Sequence, residues 1–310
     1  MGYQEREYQK RMSLAQERNN LIMLIAVNVV LFVILIFIRA VYALQNPDAV
    51  LASARYDANV VSWFSIPAHI DQWLQKPWTL LTYMFVHTDV WHILGNMLWL
   101  WVFGFILHDL TGNRKIIPIY LYGGLLGAVA YMAAYNFLPG LLPHLTTSQM
   151  LGASGGVMAV AAAVTTLAPG YRLFPLLNGG IPVWLVTALY LLIDLAFLPS
   201  ENSGGHIAHL AGALAGFLFV VAHQRGYDAG AWMNRFFDWC INLFNPEKTS
   251  RKHDIKKELF YKSTASPYKK TPNITEQRVD EILDKINQKG FHSLSEEEKE
   301  LLKRASDDKL

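Results

Sequence analysis

Charge is scarce in this sequence: 17% of its 310 residues are Asp, Glu, Lys or Arg, against 52% that are hydrophobic. That balance excludes an ordinary soluble globular chain of this length. Cysteine is nearly absent, and the single Cys240 rules out an internal disulfide framework and any zinc site built on thiolates. An excess of one charge sign is also missing. A net charge of +2 leaves no electrostatic footprint for nucleic acid, and no nucleic acid is expected as a partner. No internal repetition of apolar segments is visible, which removes the usual sign of a secondary transporter. His87, His92, His206 and His209 come without an HExxH pattern or a carboxylate-rich cluster, so no metal and no cofactor are expected.

Long apolar runs are what the sequence has instead. Six spans can be drawn, over about 21–43, 79–108, 115–138, 151–168, 181–198 and 204–224, near the roughly 20 helical residues that cross a hydrocarbon core of about 30 Å. The second window opens with His87 and Asp89, which read as the interfacial end of the preceding proline-containing loop, with the helix itself starting near Val90. The first run follows Arg6, Lys10, Arg11 and Arg18 and lacks a small-x-small cleavage site, so it reads as a retained span. Lys and Arg mark the N-terminal segment, the 109–115 and 169–180 loops and everything after 224, whereas 139–150 and 199–205 have neither. The positive-inside rule then predicts both termini cytoplasmic, in a bacterial plasma membrane, with spans two, four and six descending from the outer face.

The expected organisation is a cytoplasmic segment 1–20, a membrane domain 21–224, an amphipathic juxtamembrane helix 225–245, a polar linker 246–274 and a helical hairpin 275–310. Trp232, Met233, Phe236, Phe237, Cys240 and Phe244 fall at helical spacing on one broad face, suited either to packing on the protein or to lying on lipid. In the hairpin, Thr275 can cap a helix striped by Val279, Ile282, Leu283 and Ile286 and ended by Gly290, and Ser295 with Glu298 forms a capping box for the next.

Polar groups inside spans are costly and therefore functional suspects. The outer halves of the descending spans hold few: His92 and Asn96 in the second, Ser154 at the head of the fourth, His206 and His209 at the head of the sixth. Ser154 lies in Gly152-Ala153-Ser154-Gly155-Gly156, where glycines let another backbone approach and helix-start amides can donate to a developing oxyanion. Small residues also serve plain helix packing, and the motif alone does not separate the two uses. A serine needs a base beside it, and a histidine about five residues below the same face lies at a similar depth. Gly212 and Gly216 would bring the sixth span close to the small residues of the fourth. His92 and Asn96 stand at i and i+4 and so share a face, either as two donors for an oxyanion or as ties to the first loop.

His92-x-x-x-Asn96, Gly152-x-Ser154-Gly155 and His209-x-x-Gly212-x-x-x-Gly216, on the second, fourth and sixth spans, together resemble the rhomboid protease signature over roughly 60–224. The resemblance implies an all-α membrane protein: a six-transmembrane-helix bundle, with a cytoplasmic C-terminal helical tail in this chain. It implies a serine endopeptidase that cuts single-span membrane substrates near the outer face of the bilayer with a Ser154–His209 dyad and no third carboxylate. It also implies an oxyanion site drawn from His92, Asn96 and the Ser154 amide, and it selects His209 over His206. The alternative is a rhomboid-like pseudoprotease that binds or escorts membrane proteins without cutting. Three departures stand out: Trp78 is followed by Thr79 where the family often has arginine, Met158 replaces an aromatic residue four after the serine, and Asp194 is an intramembrane carboxylate expected to bond a loop.

Overall fold

The computed structural model describes residues 19–174, 179–200, 202–243 and 276–307. Helix α1, Asn20–Gln45, starts where Asn19 offers its side-chain oxygen to the amides of Leu21 and Ile22. Short helices α2 (Ala49–Asn59), α3 (Ile70–Gln75) and α4 (Thr79–Thr82) fill the long first loop. Then come α5 (Val90–Thr111), α6 (Ile116–Phe137), α7 (Ser154–Leu167), α8 (Val183–Ala196) and α9 (Ser203–Gln224). Asp89 caps α5 by accepting from the His92 amide at 2.9 Å, which explains why the span begins at Val90 and not at the head of its apolar window.

Among the described residues four helices are long and apolar enough to cross a membrane: Asn20–Gln45, Val90–Thr111, Asn113–Phe137 and Ser203–Gln224. The other two expected spans are shorter helices, Ser154–Leu167 and Val183–Ala196, of 14 residues each. At 1.5 Å per residue such a helix rises only about 21 Å. Helix α7 does not need more, because every residue from Gly155 to Val164 is buried by protein and never meets lipid.

Three helices make the centre: α9 packs on both α6 and α7, and α6 on α7, with α5 closing on α7 from the other side. The seam between α7 and α9 is backbone on backbone. A Cβ at Gly212 would collide with the Gly155 carbonyl, and one at Gly216 with that of Ala159, so only glycine allows this approach. The close pairing of the fourth and sixth spans is thus as the small residues suggest.

The first loop is stitched to the bundle by named bonds. Tyr83 donates its hydroxyl to the Gly124 carbonyl at 2.6 Å and Tyr120 to that of Met84 at 2.8 Å. Strand β1 (Ile66–Pro67) pairs antiparallel with β2 (Gln149–Met150), so the loop braces the chain just before Ser154. Thr79 stands where the family often has arginine, and nearby Lys76 reaches the Ser62 carbonyl at 3.2 Å and lies 4.7 Å over the Trp63 ring, which stacks on Trp78. A second pair, β3 (Arg172–Leu173) with β4 (Ile181–Pro182), closes the turn between α7 and α8.

Helix α10 (Ala231–Leu243) is tied to the basic end of the bundle by Lys115–Asp228 at 2.6 Å and by Trp232 Nε1 donating to the Tyr122 hydroxyl at 2.8 Å. On its broad face Met233 is buried against the protein, whereas Trp232, Phe236 and Trp239 stay exposed. The chain from Asn242 onward forms a separate unit. Its helices Glu276–Lys289 and Glu296–Asp307 turn at Gly290, at φ +81°, and bury Ile282 and Leu294. The Ser295–Glu298 capping box forms in both directions, at 2.8 and 3.3 Å. Residues 1–18, the 246–274 linker, Thr275 and Phe244 lie outside the described residues.

Candidate functional site

One cavity of about 560 Å³ opens at the Lys/Arg-poor end of the bundle, and its wall includes Ser154, His209, His92 and Asn96. Four residues separated by up to 117 positions in the chain are thereby brought to one space, as their motifs suggest. Ser154 is the first residue of α7, preceded by Gly152 in the left-handed region at φ +119°. A side chain at 152 would strike the His92 ring at 2.7 Å, so the glycine seats the loop against that imidazole. The backbone there is fixed by the Gly152 amide donating to the Tyr83 carbonyl at 2.9 Å.

His209 sits on the second turn of α9, and its Nδ1 lies 2.9 Å from Asp194 Oδ1. A carboxylate has only lone pairs to offer, so Nδ1 carries the proton and Nε2 is left as the bare, basic nitrogen. Asp194 does not bond a loop, as the sequence leads one to expect; it lies on the last turn of α8, and the short turn from α8 to α9 sets it beside the first turns of the next helix. The same oxygen also takes the Nδ1 of His206, at 2.8 Å. Asp194 is 3% exposed, and its Oδ2 has no hydrogen-bond partner among the described residues.

His87 is the other residue that the motifs pass over. Its Nε2 lies 3.0 Å from Asn96 Nδ2 and 3.3 Å from the Ala153 amide nitrogen. Burial, reinforced by neighbouring His92, holds the His87 imidazole well below its usual range, at about 3, so the ring is neutral. Both donors therefore meet a lone pair. Asn96 thus does tie down the first loop through His87 while lining the cavity; the two readings of the His92–Asn96 face are not exclusive.

Gln149, Thr187 and Asn202 add polar groups to the wall, and the rest of it is largely aromatic and aliphatic. Trp99 and Tyr190 meet edge to face with centroids 5.4 Å apart, and Met158 is buried with Ala162 and Ala213 against Tyr190 and Leu191. Among the described residues no hydrogen bond joins the Ser154 hydroxyl to an imidazole. The arrangement offers a hydroxyl at a helix start, an imidazole whose tautomer is fixed by a carboxylate, and side-chain and backbone donors around one polar hollow.

Comparison with known sequences places a rhomboid domain over residues 74–225, and a family of unknown function over 267–308. The chain is 34% identical over 140 residues to presenilin-associated rhomboid-like protein A, mitochondrial, of Danio rerio, covering 44% of this chain and 35% of that protein. It is 30% identical over 165 residues to the Homo sapiens presenilin-associated rhomboid-like protein, mitochondrial, covering 50% and 39%. It is 28% identical over 158 residues to rhomboid protease GluP of Bacillus subtilis, covering 51% and 28%. The match thus spans less than half the length of each of these relatives.

These relatives correct the expected bacterial plasma membrane: proteins named as mitochondrial predominate among them, in fish, mammals and plants, and point to a mitochondrial membrane instead. The asymmetry of Lys and Arg distinguishes the two sides of a membrane but carries no information on which membrane it is. What it does define is a basic face and a Lys/Arg-poor face. An all-α bundle of apolar helices, the three motifs around one cavity and the matched domain lead to one conclusion: this chain belongs to the rhomboid family.

Proposed function

We propose that this protein is an intramembrane serine endopeptidase that cuts membrane-protein substrates near the Lys/Arg-poor face of the bilayer. The observation that carries the reading is the shared cavity, in which Ser154, His209, His92 and Asn96 face one space. Family membership supports intramembrane proteolysis in general. The residue roles rest on chemistry.

In this reading Ser154 Oγ attacks the substrate carbonyl while its proton passes to His209 Nε2. The carbonyl oxygen becomes an anion that His92, Asn96 and the Ser154 amide stabilise. Nε2–H then gives the proton to the leaving amine as the C–N bond breaks, and water admitted through the open cavity hydrolyses the acyl-enzyme. Asp194, through Nδ1–H, keeps His209 in the tautomer this requires and favours the imidazolium that forms. The substrate helix must unwind locally to expose its carbonyl, which favours single-span segments with helix-breaking residues near that face.

The missing Ser154–imidazole hydrogen bond favours one rival, a non-cleaving rhomboid-like binder. Catalytic hydrogen bonds in unliganded sites are often long, so the contact alone does not decide. Labelling with a fluorophosphonate does. The wild-type protein should be modified in a ratio of about one probe per chain and cut a single-span test substrate, and Ser154→Ala and His209→Ala should do neither. Absence of labelling and cleavage in a folded wild-type protein would leave the binder.

A further inference from the structure

Two imidazoles converging on one carboxylate oxygen is more than the orientation of a single base requires. His209 needs one acceptor for Nδ1–H, and Asp194 Oδ1 supplies it at 2.9 Å. His206, which the proposed chemistry does not use, points its own Nδ1 at the same atom from 2.8 Å. The two rings stand edge to face, 6.0 Å apart, and Phe197 packs near-parallel to the His206 ring with centroids 6.1 Å apart. Asp194 is buried, with Oδ2 lacking a partner among the described residues, while the histidine side chains keep 17% and 21% of their surface open.

We propose that Asp194, His206 and His209 form a binding site for a zinc-type divalent cation, and that its occupancy switches the proposed protease off. One nitrogen from each imidazole and a carboxylate oxygen make a donor set that suits zinc. The three ligand atoms already lie within 4.8 Å of one another. In a tetrahedral site with bonds of about 2.0–2.1 Å, ligand atoms stand about 3.3 Å apart. The two Nδ1–Oδ1 separations, 2.8 and 2.9 Å, must therefore widen by a few tenths of an ångström, and the two nitrogens, within 4.8 Å of one another, must settle at the same spacing. The unpartnered Oδ2 can share the ion as a further carboxylate ligand.

The inhibitory half rests on the function proposed above. An ion on Nδ1 takes the lone pair there, and the single proton of the neutral ring moves to Nε2. Nε2–H cannot accept the Ser154 proton. Metal binding and base catalysis by His209 are therefore mutually exclusive, with no change in the ring's charge. His206 is the residue that makes the difference: with Asp194 and His209 alone the ion would have two protein ligands, too few for a held zinc site.

The test separates binding from catalysis. Untagged, full-length Ser154→Ala protein in detergent is titrated with Zn²⁺ by calorimetry and with Co²⁺ by visible absorption, which reports tetrahedral coordination directly. One ion per chain is expected, with the cobalt bands and the calorimetric site lost in Ser154→Ala carrying also His206→Gln. On the active protein Zn²⁺ should slow cleavage reversibly, a chelator restoring the rate. In His206→Gln, normalised to its own metal-free rate, at least tenfold more Zn²⁺ should be needed. No stoichiometric binding to Ser154→Ala, or binding and inhibition undiminished by His206→Gln, overturns the proposal. Stoichiometric, His206-dependent binding to a protein that never cleaves would uphold the site and overturn the function instead.

Discussion

Asn96 turns its amide nitrogen toward His87 Nε2, 3.0 Å away, so a loop histidine that never lines the cavity sets the direction of a side chain that does. Because the His87 ring is neutral, its Nε2 takes one Asn96 N–H, leaving the second N–H of that amide to face the cavity.

His87→Ala should therefore lower kcat by about 10–100-fold with little change in KM, since misplacing a catalytic group by about 1 Å costs roughly that much. Asn96→Ala should cost about 10²–10³ in rate, as for one oxyanion donor, and leave cleavage measurable. The double variant, assayed on a single-span substrate, should be scarcely worse than Asn96→Ala. Fully multiplicative effects would mean that His87 acts on something other than the amide.

Asp194→Asn keeps the shape of the side chain but adds a donor that can face His209 with the wrong polarity. A loss of about 10²–10⁴ in kcat is expected, the range associated with a misassigned histidine tautomer. Thermal unfolding in detergent checks that the variant is folded. A fully active, folded Asp194→Asn protein would remove the carboxylate from the chemistry and restore a simple pair of Ser154 and His209.

The three motifs are legible in the sequence because each is a local spacing on one helix, and the face it defines survives folding: His92 with Asn96, His209 with Gly212 and Gly216, Ser154 between small residues. Asp194 is visible as a costly intramembrane carboxylate, but its partner is not. Which neighbour it meets depends on how the six residues from Phe197 to Asn202 turn α8 onto α9, and nothing in the periodicity of either helix specifies that. His87 lies five residues before His92 and outside the helix, so no helical spacing links them. The two-residue pairings of Ile66 with Met150 and Pro67 with Gln149 are too short for any alternating pattern to announce.

Gly212→Ala tests the backbone seam. The added methyl meets the Gly155 carbonyl, and overpacking of this kind costs about 1–3 kcal/mol. Labelling by the fluorophosphonate should fall along with stability, because α9 carries His209 away from α7. Gly95→Ala, inside α5 with nothing within 4 Å of an added Cβ, is the control and should not lower stability.

The hairpin should loosen in acid. Lys285, 2.9 Å away, and then the Ser295 amide hold the Glu298 carboxyl down at about 2, against 4.5 for the free group. A carboxyl with a depressed value stabilises the fold above the ordinary value and loses that contribution as pH falls through the lowered one. Amide protection in the tail helices, referred at each pH to the intrinsic exchange rate, should fall from about pH 4.5 down to about pH 2, and Glu298→Gln should flatten that dependence. An unchanged profile in Glu298→Gln would place the acid sensitivity elsewhere.

The contact of Gly212 and Gly216 with the α7 backbone also bears on how this protein tolerates change. Side chains adjust by rotating, but two carbonyls lying against two glycines cannot, so the distance between the Ser154-bearing and His209-bearing helices is fixed by the main chain itself. Substitutions on the exposed flank of α8, at Leu185, Leu189 or Leu192, leave that spacing untouched. Sequence drift can thus accumulate on the lipid-facing flank while the ruler between nucleophile and base keeps its length.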